Sequence, residues 1–247
     1  LLNSVGEYVI NSHSSRNIEY TVEGGRPDSM TWEKLLLLQA YGVNRISINP
    51  QTMNQKTLSI IGRDHTPKQI IDCFYMARDI GFSTINMDVI VGLPEEDEDD
   101  MAYTMEQVAN LNPDNLTVHT LSIKRASLLK DSVKEYLFPD VQTAYRMLDV
   151  CQRQARNMGM IPYYLYRQKY MLGNMENVGY AYRGKECIYN IQIMEERQSI
   201  FAFGAGAITK IYYPDHNRIE RVPNVKNIGE YISRIDEMIE RKRKMWY

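Results

Sequence analysis

The sequence predicts an α/β chain built on a parallel sheet with helices outside it, followed by a shorter and less regular α+β stretch. Three observations carry this. Strand-like and helix-like segments alternate four times between residues 18 and 158. The run Ile85–Val91 is almost continuously apolar, as in a parallel strand buried on both faces. Past Ile161 the rhythm gives way to tyrosines and scattered glycines. Right-handed crossovers would either curl such a sheet into part of a barrel or wind it as an open sheet.

In chain order, Leu1–Asn11 reads as a helix with Leu1, Leu2, Val5, Tyr8 and Val9 as its apolar stripe. Ile18–Glu23 is rich in β-formers and ends at Gly24-Gly25-Arg26-Pro27. Thr31 is placed to cap a helix over Trp32–Tyr41, closed by Gly42. Val43–Ile48 forms the second strand and Gln55–Ile61 a short helix. Thr66-Pro67 then opens a helix over Lys68–Ile80, because proline is preorganised for the first helical position. The third strand ends abruptly at Gly92-Leu93-Pro94. The acidic run Glu95–Asp100 suggests a cation site, but it fits better as the negative start of a helix over Asp97–Leu111. A fourth strand, Leu116–Ile123, precedes a long helix from Asp140 to Met158.

Beyond Ile161, Lys210–Tyr213 and Arg218–Val222 read as a hairpin, and Lys226–Met245 as one amphipathic helix ending in Arg241-Lys242-Arg243-Lys244. Gly204-Ala205-Gly206-Ala207 lacks the glycine spacing and βαβ setting of a dinucleotide fingerprint.

Composition excludes some partners. The 247 residues carry a formal charge of −2, which gives no electrostatic case for nucleic acid or an anionic membrane. No apolar run approaches the roughly 20 residues that cross a bilayer. Three widely spaced cysteines, Cys73, Cys151 and Cys187, argue against a disulfide framework and suit a reducing cytoplasm.

Ligands of parallel α/β sheets bind at the carboxyl ends of the strands. Those ends present Glu23, Asn49-Pro50-Gln51 and Gly92-Leu93-Pro94 here, with Asp88 further back on its strand and Arg63 on the loop-helix after the second. Asp88 stands where a buried strand prefers an apolar residue, and a buried carboxylate requires a partner. Two carboxylates, an amide and a guanidinium suit a ligand with hydroxyls, an amine and a carboxylate, the last held bidentately by Arg63. His65 and His119 lie nearby, and each fits a structural role more readily than a catalytic one.

Glu-Tyr-Thr-Val-Glu (19–23), Gly-Val-Asn-Arg-Ile-Ser-Ile-Asn-Pro-Gln-Thr-Met (42–53), Ile-Gly-Arg-Asp-His-Thr (61–66) and Ile-Asn-Met-Asp-Val-Ile-Val-Gly-Leu-Pro (85–94) together resemble the radical S-adenosylmethionine enzymes of the oxygen-independent coproporphyrinogen III dehydrogenase family. Asn-Pro-Gln-Thr-Met and the Cys-Ile-Tyr-Asn at 187–190 are most similar to its branch in Firmicutes. The resemblance spans nearly the whole chain.

The resemblance implies a partial (β/α)6 barrel over residues 1–160, lacking its first strands, and a smaller C-terminal α+β domain on the substrate side over residues 161–247. It assigns Glu23 and Gln51 to the nucleoside or amine of S-adenosylmethionine, Arg63 to its carboxylate and Asp88 to its ribose. Leu121 or its neighbours would touch it by backbone. The family's Cys-x-x-x-Cys-x-x-Cys loop, which ligates a [4Fe–4S] cluster, is absent, so the chain reads as an N-terminally truncated fragment, inactive alone. For the complete protein the implied reaction is radical oxidative decarboxylation of coproporphyrinogen propionates to vinyl groups. It takes electrons from a reductant protein or other donor. Cationic residues would face the tetracarboxylate substrate, with Arg167, Lys169, Arg183 and Lys210 as candidates. A haem- or tetrapyrrole-binding protein of the same superfamily is the alternative. An ordinary aldolase or lyase would need a strand-end lysine, which no strand here supplies.

Overall fold

The computed structural model describes residues 18–122, 136–167 and 171–245. The helix expected over Leu1–Asn11 and the candidate Lys169 lie outside the described residues. Two compact units divide at Glu186/Cys187.

The first unit holds a six-stranded mixed sheet in the order β1-β2-β3-β4-β6-β5. Strands β1 (Thr21–Gly25), β2 (Arg45–Ile48), β3 (Thr84–Val91) and β4 (Asn115–Thr120) run parallel. Strands β5 (Ile161–Tyr166) and β6 (Asn177–Ala181) complete it in antiparallel fashion. Only β6 runs against the other strands, since it is antiparallel to both β4 and β5, so the one reversal of direction in the sheet lies past Ile161. The compact unit continues to Glu186, beyond the boundary expected at residue 160. No closed barrel forms among the described residues.

The crossovers are helices α1 (Trp32–Ala40), α2 (Gln55–Ile60), α3 (Pro67–Ile80), α4 (Glu98–Leu111) and α5 (Val141–Asn157). Their starts follow local chemistry. The Thr31 hydroxyl accepts from Lys34 N–H, Thr66 and Gln69 form a reciprocal capping box, and Asp140 accepts from Thr143 N–H at 2.7 Å. Asp97 and Asp100 box the start of α4, so the acidic run is a helix terminus. Among the described residues no cluster of His, Cys, Asp or Glu could hold a metal ion.

The sheet is two-faced. Along β2, β3 and β4, Ile46, Ile48, Ile85, Met87, Val89, Val91, Leu116 and Val118 alternate with polar residues and enter a core with Leu35, Phe74, Met101, Met105 and Met147. The alternate positions, Ser47, Asn86, Asp88, Asn115, Thr117 and His119, form the other face. β3 is thus not apolar on both sides, contrary to the reading of its composition. Asn86 and Asp88, two residues apart on that face, belong to a polar network, a period-2 placement that the apolar residues between them obscure.

One buried group outside that face is costly. Glu96 is only 4% exposed. Its Oε1 accepts from Thr52 Oγ1 (2.6 Å) and Asn54 Nδ2 (3.1 Å), whereas Oε2 has no partner. Burial pushes its pKa above the ordinary value, against the pull of the Thr52 and Asn54 hydrogen bonds. A raised folded-state pKa means stability that is present below the unfolded value and lost as pH rises through the folded value. Glu96→Gln should remove that loss and stabilise the fold by about 1 kcal/mol at neutral pH. The gain should fade on acidification, as denaturation midpoints at several pH values would show.

The second unit carries the antiparallel hairpin β7 (Ile208–Tyr213) and β8 (Arg218–Pro223) with α6 (Ile188–Glu195), α7 (Ile228–Ser233) and α8 (Ile235–Arg243). The single helix expected over Lys226–Met245 is broken at Arg234, whose φ of −114° leaves the helical region.

Candidate functional site

The polar face is organised around Asp88. Its Oδ1 accepts from Asn86 Nδ2 (2.8 Å), and its Oδ2 lies 3.5 Å from His119 Nε2. Asn86 Nδ2 also donates to Ser47 Oγ (2.7 Å), and Ser47 Oγ donates to Asn49 Oδ1 (2.6 Å). Glu23 is the register partner of Ser47, which is the register partner of Asn86. The protein around Glu23 pushes its pKa up, and the Asp88 carboxylate adds to this, while Ser47, Arg45 and His119 oppose it. Two carboxylates therefore share one end of the face, a setting suited to a cationic or hydroxylated ligand.

Gln51 reaches the same place through its backbone. Its N–H donates to the Asp88 carbonyl (3.0 Å) and its carbonyl accepts from Ile90 N–H (2.9 Å). Its φ of +66° lies in the left-handed region, unusual for a residue other than glycine or asparagine. Such strain persists only where the surroundings over-determine it, and it clusters at binding sites. The side-chain amide of Gln51 has no hydrogen-bond partner among the described residues.

Arg63 stands on the loop between α2 and α3. It is near Arg26 and Asp28, which follow β1, and beside His65, which packs near Pro50 after β2. The guanidinium is half-buried, and burial, helped by Arg26, lowers its pKa. No carboxylate among the described residues forms an ion pair with it, since Asp28 is engaged by Arg26 (3.5 Å) and Asp64 by Arg26 (3.2 Å). His65 is fully buried, its Nδ1 lies 3.7 Å from an Asp28 carboxylate oxygen and neither ring nitrogen has a hydrogen-bond partner among the described residues; burial, then Arg63, lower its pKa. A half-buried guanidinium without an acid is a place for an anion.

The remaining candidates separate. Leu121 follows β4, and its N–H and carbonyl are already used by Val91 O (2.8 Å) and Leu172 N (3.2 Å). Arg167 lines a groove with Tyr145 and Leu148 of α5, on the helix side, and pairs with Glu176 at 3.0 Å. Arg183 follows β6, whose antiparallel direction carries it to the amino-terminal end of β4. Lys210 lies in the second unit and binds Glu196 at 2.8 Å. The structure thus brings Glu23, Gln51 and Asp88 together at one end of the sheet, with Arg63 at the adjoining ends of β1 and β2. It brings Arg167 and Arg183 elsewhere. Sequence reasoning passes over Ser47 and Asn86, which the alternation along β2 and β3 reveals.

This geometry meets a family pattern. The radical SAM superfamily model matches residues 6–108, the span of β1 to β3 and most of α4. The chain is 42% identical over 226 residues to the oxygen-independent coproporphyrinogen-III oxidase-like protein HemZ of Bacillus subtilis, covering 92% of this chain and 45% of that protein. Residues 6–108 carry a radical SAM domain. The heme chaperone HemW of Bacillus subtilis is 29% identical, covering 91% of this chain and 54% of that protein. The solved coproporphyrinogen III oxidase HemN of Escherichia coli, described as a radical SAM enzyme, shares the fold. Its TM-score is 0.70 at 19% identity, with 96% of this chain and 53% of that one covered. The chain spans about half the length of the curated relatives it matches.

Radical SAM proteins use S-adenosylmethionine and a [4Fe–4S] cluster. The site described fits the first, because Arg63 forms no ion pair among the described residues and Glu23, Gln51 and Asp88 offer acceptors and an amide. The described residues do not fit the second. Cluster iron takes thiolates, and the described cysteines are buried and separate. Burial pushes the Cys73 thiol up to about 11 and the Cys151 thiol up as well, so neither favours the thiolate.

Proposed function

We propose that the polar face of β1–β4 is the S-adenosylmethionine site of a tetrapyrrole-modifying radical enzyme that oxidatively decarboxylates coproporphyrinogen propionates to vinyl groups. The cluster thiolates would come from outside the described residues. The 42% identity to a coproporphyrinogen oxidase-like protein across 92% of the chain carries the substrate class. When bound, S-adenosylmethionine supplies hydrogen-abstracting chemistry. Arg63 holds the cofactor carboxylate bidentately, and Asp88 and Gln51, with Glu23, orient the ribose and amine. Asn86, Ser47 and Asn49 keep the Asp88 carboxylate in place, so little reorganisation is needed on binding. Removal of one hydrogen atom from the propionate, then loss of CO₂ with one electron passed to an acceptor, leaves the vinyl group.

The identity to HemW over 91% of the chain favours a second reading, a tetrapyrrole-binding protein that does not turn its ligand over. The two separate in one assay. The whole protein, reconstituted with iron and sulfide, is incubated with S-adenosylmethionine, coproporphyrinogen III and reductant. Vinyl-bearing product with deoxyadenosine supports the enzyme. Porphyrin bound without product supports the carrier.

A further inference from the structure

Tyr163, Tyr164 and Tyr166 on β5 form an aromatic surface that the cofactor site does not use. Strand alternation would send Tyr163 and Tyr164 to opposite faces. A register shift between Pro162 and Tyr164 changes this, since an extra residue in one strand re-aims the side chains beside it. Both rings consequently lie over Gly179 of β6: a methyl group at Gly179 would stand 1.9 Å from Tyr164 Cε1 and 3.0 Å from Tyr163 Cε1. Only a glycine allows this approach. Tyr164 and Tyr166 stack with centroids 6.1 Å apart and ring planes 7° apart, and Tyr163 meets Tyr164 at 4.8 Å.

The surface belongs to the polar face. Asp88, Thr117, Gly179 and Tyr164 are successive register partners across β3, β4, β6 and β5. The Tyr163 hydroxyl donates to Asn115 Oδ1 (3.3 Å), and Tyr164 lies close to Thr117, the register partner of Asp88. Tyr164 and Tyr166 stay partly exposed. Paired, partly exposed rings suit a flat π-ligand, which stacks in offset or edge-on fashion.

We infer that this bulge-built tyrosine surface is the platform on which a pyrrole ring of the substrate lies, one sheet-width from Asp88. The inference rests on the tetrapyrrole reading above and adds the residues that set ring specificity. Tyr166 is the ring furthest along β5 in the Tyr163–Tyr164–Tyr166 series. Gly179 is the positioning residue that lets the stack lie flat.

The test titrates the purified protein with coproporphyrin III, followed by fluorescence, and with S-adenosylmethionine, followed by calorimetry. Tyr166→Leu should weaken porphyrin binding about tenfold, whereas Tyr166→Phe, which keeps the ring, should stay within about twofold of the parent. Both should retain the parent's unfolding midpoint and S-adenosylmethionine affinity. Unchanged porphyrin affinity in folded Tyr166→Leu would overturn the platform and leave the tetrapyrrole reading standing. A parent protein that binds S-adenosylmethionine but no porphyrin would overturn both.

Discussion

Arg63→Ala should weaken S-adenosylmethionine binding by about 2–3 kcal/mol, roughly thirty- to 150-fold, with little change in the stability of the free protein. The asymmetry follows from the structure. An arginine that served the fold would pair with an acid, and its loss would strand that acid. Arg63 has no such partner among the described residues, and the neighbouring acids Asp28 and Asp64 are both held by Arg26. Removing a half-buried cation that already lies close to Arg26 relieves as much repulsion as it forfeits attraction. Arg63→Lys should recover only part of the affinity, because an ammonium cannot reproduce the planar fork. Calorimetric affinity and denaturation midpoint, measured on the same samples, check both halves of this expectation.

Asp88→Asn should separate binding from folding in the same way, at a cost of about 1.5–3 kcal/mol in cofactor affinity. Asparagine is nearly isosteric and keeps an acceptor for Asn86 Nδ2, so the Ser47–Asn86 network survives. It replaces the oxygen facing His119 by an amide and removes one of two neighbouring carboxylates. The Glu23 pKa should fall toward its ordinary value in the variant, since Asp88 is one of the groups that raise it. Deoxyadenosine yield per folded molecule should drop with the affinity. A large fall in the denaturation midpoint with normal cleavage per folded molecule would make Asp88 a structural residue.

Much of this site was legible in residue order. Asp88 stood out as a carboxylate in an apolar run, and Gln51 and Glu23 as polar strand ends. The strand–helix succession through α5 follows the expected segments, with boundaries shifted by one to three residues where caps, not propensity, decide the start. Other features depend on contacts between distant residues. The absence of an ion pair to Arg63 among the described residues is a property of where Arg26 reaches. The left-handed Gln51 exists because its backbone is clamped between Asp88 and Ile90.

The largest divergence lies in β5 and β6. Ile-Pro-Tyr-Tyr-Leu-Tyr (161–166) and Asn-Val-Gly-Tyr-Ala (177–181) look irregular because a bulge breaks the alternation of the first and glycine weakens the second. Helix α6 shows no buried side chain, so no apolar stripe announced it. The platform of tyrosines was hidden for the same reason.

Decarboxylated S-adenosylmethionine lacks only the carboxylate assigned to Arg63, and its affinity relative to S-adenosylmethionine tests the cofactor assignment most directly. The parent protein should bind the decarboxylated compound at least tenfold more weakly, about 1.4 kcal/mol or more. Arg63→Ala should bind the two compounds nearly alike, because the interaction that distinguishes them is gone. Equal affinities in the parent, or a preference for S-adenosylmethionine that survives in Arg63→Ala, would place the carboxylate elsewhere and contradict the assignment.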